Sequence, residues 1–406
     1  MKLLLFSSVY PPDPASVGQH MADVASAASA RGHFVRVITA NRGYDDPSTR
    51  FPSYERLRGV EILRLGWSSF GKKRFSSRIF GQICFTLQGI AKGILGIRPD
   101  AVLVSTIPPL GILSAYITAR LRRSALVYWV MDINPDEAIA MGLVDQGSVS
   151  AHLLELVNKA VLRSAGMVIA LDPQMAKKLK SKAVPRRPVE VIPPWPHEDI
   201  IRESKSGGRD FRRAHGLEDK FIVMYSGNLS WVHPLDTVLK AASALVHRTG
   251  IAFLFVGGGL EKHKVEKAIK NGAPNVFSLP YQKFDDLGES LAAADIHLVV
   301  MGDAMVGIVH PCKIYGAMAA ARAILAIAPD DSYISEIMEK EAIGFRRRHG
   351  DVTGVIQDIL VLADMKDEKR RRLGQNAARL VRERYDQATL RNRFVDMLEL
   401  AAGSKK

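Results

Sequence analysis

At 406 residues the chain is too long for one ordinary domain and calls for two or three. Apolar residues make up 47% and charged residues 24%, which excludes a disordered or collagen-like chain; the two cysteines, Cys84 and Cys312, form no disulfide framework or metal-ligand pattern and make a reducing cytoplasm the expected compartment. The formal net charge of +14 asks for an anionic partner, and nucleic acid, anionic lipid and phosphorylated substrates all satisfy it.

The opening apolar run ends at Ser7 and Ser8, short of the roughly 7–15 residues of a signal-peptide core, so 2–8 reads as a first buried strand. A helix over 18–30, a cap at Gly32 and a strand at 34–39 follow. Residues 67–98 carry no acid, while Arg64 precedes them and Lys72, Lys73, Arg74, Arg78, Lys92 and Arg98 fall within them, interleaved with Trp67, Phe70, Phe75, Phe80 and Phe85. Two readings fit this stretch: an amphipathic element for an anionic membrane surface, and a helix packing its aromatic face on its own domain.

Strands at 101–105, 125–130, 167–170 and 189–192 continue the alternation with helices, which predicts a parallel, doubly wound sheet. The most apolar longer stretch, 102–119, is divided by Pro108 and Pro109 into strand and helix, so no membrane span is expected. Pro193, Pro194 and Pro196 then exclude regular structure, and 194–220 reads as a hinge. Strands at 221–226, 251–256, 276–279, 296–300, 324–327 and 344–347 begin a second alternation, and the chain is helical from Asp367. The expected architecture is α/β: two doubly wound Rossmann-like domains, 1–193 and 221–385, facing across a cleft, with a final helix at 386–406 packing back on the first. Ligands of such sheets sit beyond the carboxyl ends of the strands.

The loop after the first strand places Gly18 where backbone approaches a ligand, without a GxGxxG or a GxxxxGK[ST] pattern. Asp132, Asp136 and Glu137 follow the 125–130 strand and could orient an acceptor hydroxyl or share a proton; they equally suit a helix start. In the second half, Gly227, Asn228 and His233 join the first strand to its helix, and His233 could donate to a phosphate or sugar oxygen. Gly257 and Gly258 mark a sharp turn. The segment 302–323 is richest: Val306 and Gly307 approach a helix expected to run from Pro311 through Ala320, with His310 before it and Lys313 in its first turn. A lysine is electrostatically wrong there unless an anion joins it, and a diphosphate resolves the conflict.

Together these residues resemble the GT-B glycosyltransferases of family 4. The resemblance rests on Tyr10-Pro11-Pro12-Asp13 with Gly18, on Arg31-Gly32-His33, on Asp132 to Glu137, on Tyr225-Ser226-Gly227-Asn228, on Gly257-Gly258-Gly259, and on His310-Pro311-Cys312-Lys313-Ile314-Tyr315. The last of these is similar to a subgroup that builds bacterial polysaccharides. It implies a retaining transferase without cofactor or metal, whose second domain binds a nucleotide-sugar, UDP-linked by preference, and whose first binds a glycan or polyprenyl-linked acceptor. It also implies donor contacts at Tyr281 besides the residues above, and a cytoplasmic enzyme peripheral on the inner face of the cell membrane. The family's arginine and lysine on the diphosphate fall here at Asn228 and His233, and its paired glutamates are absent, the second falling at Gly316. Lys313, His310 and the helix start are expected to carry that charge instead.

Two other activities fit parts of the pattern. A nucleotide-sugar 2-epimerase shares the architecture but needs no acceptor, against which the 67–97 stretch speaks. A nucleic-acid or regulatory binding module would use the net charge, but no recognition helix or RNA motif supports it, and no nucleic acid is expected as a partner.

Overall fold

The computed structural model describes residues 1–13, 15–43, 46–68, 75–196, 204 and 206–403. The chain forms two compact units, one of Met1–Pro193 with Gly307–Val309 and Ala388–Lys406, the other of Pro194–Val306 with His310–Gln387.

The first unit is built on strands β1 (Lys2–Phe6), β2 (Phe34–Ala40), β3 (Tyr54–Leu57), β4 (Val60–Leu65), β5 (Ala101–Ser105), β6 (Ala125–Trp129), β7 (Met167–Ala170) and β8 (Glu190–Val191), in the order β3-β4-β2-β1-β5-β6-β7-β8. The central strands β5, β6 and β7 are buried at every position, as a parallel sheet covered on both faces requires. The cover comes from α1 (Ser16–Ala30), α2 (Phe75–Leu95), α3 (Ile112–Arg122), α4 (Asp136–Ala140), α5 (Val149–Ser164) and α6 (Pro173–Lys182). Helix α2 settles closely on α3 because its inner face is glycine: a Cβ on Gly93 would lie 2.3 Å from Thr118 Oγ1. One edge departs from the expected parallel sheet. Strand β3 runs antiparallel to β4 through Arg58 and Gly59, both in the left-handed region, and the exposed Tyr54 and Leu57 mark it as an edge strand.

The second unit carries β9 (Phe221–Ser226), β10 (Ile251–Val256), β11 (Val276–Leu279), β12 (Ile296–Val300), β13 (Ala323–Ile327) and β14 (Gly344–Arg347), in the order β11-β10-β9-β12-β13-β14 and parallel throughout. Alternate residues feed opposite cores, Val223, Tyr225, Phe253 and Phe255 on one face and Ile222, Met224, Ala252 and Leu254 on the other. Its helices are α7 (Arg209–Ala214), α8 (Asp236–Ala244), α9 (Lys262–Lys270), α10 (Leu287–Ala292), α11 (Lys313–Ala319), α12 (Tyr333–Lys340), α13 (Val352–Asp364) and α14 (Asp367–Arg384).

The expected hinge over 194–220 is overturned in its second half. Glu289 accepts from the backbone of Ser206 (2.8 Å) and Gly208 (3.0 Å), Arg212 pairs with Asp295 at 2.8 Å, and Phe211 and Leu217 are buried in the core. Helix α7 therefore belongs to the folded second unit; residues 197–203 and 205 of the hinge lie outside the described residues. The last helix, α15 (Gln387–Gly403), is grouped with the first unit. Its Phe394 packs tilted against the buried Trp129 with ring centroids 4.3 Å apart, and Arg31 holds its Asp396 at 2.6 Å.

Candidate active site

Strand β9 is the point where the strand order of the second sheet reverses, and the loops leaving β9, β10 and β12 gather at its carboxyl end. Backbone lies directly on backbone there. Gly257 has φ +143, and a Cβ on it would stand 2.1 Å from Gly227 O. Leu229 N donates to Gly258 O at 2.8 Å, while Gly302 N donates to Val232 O at 2.9 Å and ties in the β12 loop. Gly257→Ala should therefore lower the unfolding free energy by more than about 2 kcal/mol, seen as a lower urea midpoint with an unchanged slope.

Lys313 opens α11 and reaches across this rim. Its Nζ lies 4.0 Å from the centroid of the Tyr225 ring and donates to Tyr225 Oη, which in turn donates to Asn228 O at 2.7 Å. Gly227 passes beside the amine; a Cβ there would meet Lys313 Nζ at 3.9 Å. No carboxylate among the described residues pairs with this lysine, and burial holds its pKa well below the usual lysine range. His233 is buried beside it. Burial and then the Lys313 charge press its pKa well below the usual imidazole range, while the Val300 carbonyl accepts from the ring. Nδ1 is left without a partner among the described residues, so the neutral ring offers a lone pair there where the sequence reading expects a donor.

The remaining donor candidates divide. Asn228 and Tyr281 are exposed on the same rim, where Tyr281 Oη donates to Gly258 O at 3.3 Å. His310 turns inward: it is 4% exposed, its Nε2 lies 2.8 Å from Tyr315 Oη, and it packs against Tyr315 and Tyr333. Its expected role as a cation on the diphosphate gives way to one of bracing α11. That helix also begins later than expected, at Lys313 with Cys312 as N-cap, and is one turn shorter; Pro311 lies before it. Val306 ends a 3-10 turn, and Gly307, at φ +67, is grouped with the first unit, where a Cβ would meet Gln174 O at 2.9 Å. Gly18 likewise admits the chain itself, since a Cβ would sit 3.0 Å from the Val9 carbonyl carbon. Tyr225 was not singled out by the sequence as a site residue, although strand alternation already separates its face from that of Met224.

In the first unit the loop after β6 is clasped by backbone. Asp132 N donates to Thr106 Oγ1 at 3.2 Å and Ile133 N to Ile308 O at 2.9 Å. Burial, reinforced by the Glu137 carboxylate, raises the Asp132 pKa well above the usual carboxylate range. Asp136 differs: Lys182 holds it at 2.6 Å and Lys178 at 3.4 Å, which commits it to an ion-pair network that also includes Glu155.

Along the basic stretch, Phe70, Lys72, Lys73 and Arg74 lie outside the described residues, as do the side chains of Phe75 and Arg78. Phe85 is fully buried, as the packing reading expects, whereas Ile79, Phe80, Ile83 and Leu87 stand exposed at helical spacing on the outer face of α2. Among the described residues no helix is long and apolar enough to cross a membrane.

Two family models match in succession: a glycosyl transferase 4-like domain over residues 16–195 and glycosyl transferases group 1 over residues 209–380. The chain is 26% identical to the probable glycosyltransferase WbjE of Pseudomonas aeruginosa over 61% of its own length and 62% of that protein's, so it spans somewhat less than two thirds of that relative. It is 26% identical to the putative colanic acid biosynthesis glycosyl transferase WcaI of Escherichia coli K12, over 79% of this chain and 81% of that one. Anabaena HepE, solved in complex with UDP and glucose, shares the fold with a TM-score of 0.72 at 18% identity, covering 98% of this chain and 99% of that one. With both halves matched in order by models of one enzyme group, the chain belongs to the GT-B glycosyltransferases of the family-4 type.

Proposed function

We propose that the protein moves a sugar from a UDP-sugar to a glycan or lipid-linked acceptor in the synthesis of a cell-surface polysaccharide. The observation that carries this reading is Lys313: a desolvated amine with no carboxylate partner among the described residues, set beside the Gly227 backbone at the switch point of the second sheet, is poised for an anion supplied by a ligand. A diphosphate supplies it. As the sugar–phosphate bond breaks, Lys313 stabilises the charge left on the departing phosphate, and His233 Nδ1 accepts from a sugar hydroxyl. Asp132 and Glu137 orient the acceptor hydroxyl. The acceptor class and the carrier draw support from WcaI, named for colanic acid biosynthesis, and from HepE, solved with UDP-glucose.

The diphosphate's charge is met by Lys313 rather than by a metal, so chelation with EDTA should leave turnover unchanged. Membrane association is peripheral, through the exposed apolar face of α2. A thermal-shift series with UDP-, GDP- and ADP-sugars tests the donor. The UDP-sugar should raise the melting temperature most and release UDP when a membrane extract supplies acceptor; stabilisation by GDP- or ADP-sugars alone overturns the carrier.

A further inference from the structure

The first unit has a second cationic feature that sugar transfer does not use. A cavity of about 370 Å³ opens at the amino ends of β6 and β7, lined by Arg120, Arg123, Arg186 and Arg187 and, among the described residues, by no carboxylate. Arg120 suits the last turn of α3, where the helix dipole favours a cation. That account does not extend to Arg186 and Arg187, which arrive from the loop after α6 and converge on the same space. No ion pair among the described residues involves Arg120, Arg123 or Arg186. Arg120, Arg123 and Arg186, three guanidinium groups around one open cavity, repel one another unless an anion enters.

The surroundings indicate which anion. Arg122 Nη2 donates to Gly96 O at 3.0 Å and Arg98 Nε to Arg122 O at 3.0 Å, joining the end of α3 to the segment that follows α2. Leu95, Ile97 and Leu121 are exposed on these joined segments, 84%, 36% and 63% respectively. A soluble anion has no use for such apolar neighbours, whereas a lipid brings a phosphate and acyl chains together.

We propose that this arginine-lined cavity binds the phosphate headgroup of an anionic membrane lipid, which rests on the reading of α2 as the membrane-docking helix. Co-sedimentation with phosphatidylcholine vesicles, with or without phosphatidylglycerol, tests it. The wild-type chain should favour the anionic vesicles. Arg123→Gln/Arg186→Gln should lower its partition onto them about thirty-fold, near fivefold per arginine, while leaving the weaker binding to neutral vesicles. Arg120→Gln/Arg186→Gln should behave the same way, and unchanged melting temperatures would show that both variants fold. Unchanged anionic preference in both variants overturns the site. A rise in wild-type melting temperature with inorganic phosphate, absent in the variants, together with phosphate release from anionic vesicles at matched ionic strength, assigns the cavity to a soluble phosphorylated ligand and overturns the lipid. Separately, Phe80→Ser/Leu87→Ser should abolish binding to both kinds of vesicle; retained binding there overturns the docking reading of α2 and leaves the arginine variants to decide the cavity.

Discussion

Replacing Lys313 with alanine is expected to lower kcat/KM for the nucleotide-sugar by about 100- to 1,000-fold, the usual scale for removing one preorganised group that stabilises charge in the transition state. The amine has a buried position, a tyrosine Oη as its hydrogen-bond acceptor and no carboxylate partner among the described residues, and none of these residues replaces it. A pH signature follows. Burial lowers the pKa of the unliganded amine, and a bound diphosphate raises it again, so donor binding takes up a proton at pH values between the two. Donor affinity should therefore weaken as pH rises through that interval, by up to about tenfold per pH unit, and Lys313→Ala should be flat over the same range. Calorimetry in buffers of different ionisation enthalpy measures the uptake directly. Unchanged turnover in Lys313→Ala, or donor binding with no proton uptake at alkaline pH, would refute the assignment.

The second large effect belongs to the carboxyl pair. Asp132→Ala should reduce kcat by about 100- to 10,000-fold if it holds the acceptor hydroxyl in the reacting position. An aspartate that accepts from that hydroxyl must be ionised, and burial together with Glu137 raises its pKa. Activity should accordingly fall on acidification at a pH above the ordinary carboxylate range. Glu137→Gln removes the neighbouring negative charge, so the Asp132 pKa drops and the acid limb of the kcat profile moves to lower pH. A Glu137→Gln profile superimposable on the wild type would show that the Glu137 charge does not act on Asp132. Asp136→Asn belongs on the other side of the comparison, since its loss breaks the ion pair with Lys182 and is expected to register in stability before it registers in turnover.

The elements that sequence reading located best were those whose signal is carried by burial. Strands 101–105, 221–226 and 251–256 are nearly continuous apolar runs rich in β-branched and aromatic residues, and in a sheet covered on both faces such runs have no other home. What escaped was structure held by a few long-range contacts. Helix α7 reads as a solvated charged stretch, because only Phe211 of its six residues is buried and the Glu289 carboxylate that anchors its start lies some eighty positions downstream. Strand β3 was hidden because both its apolar ends face solvent at a sheet edge. At the site, the glycines and Lys313 were legible because each violates a local preference, a positive φ or a cation at a helix start. His310 satisfied the same logic and turned inward, since the two tyrosines that receive it, Tyr315 and Tyr333, come from α11 and α12 and are themselves braced by Tyr385 at the end of α14. The Asp136 ion pair likewise depends on α6, whose lysines gave no sign in sequence of facing the start of α4 some forty residues earlier.

Helix α15 places the last stretch of the chain against Trp129, in the middle of the unit begun by Met1. A ribosome delivers residues in order, so the first sheet must wait, its Trp129 face uncovered, while the entire second sheet is made. The second unit, apart from its own short return at His310, can close as it emerges. Synthesis order and folding order are thus opposed in this protein: the half that is translated first is the half that is completed last.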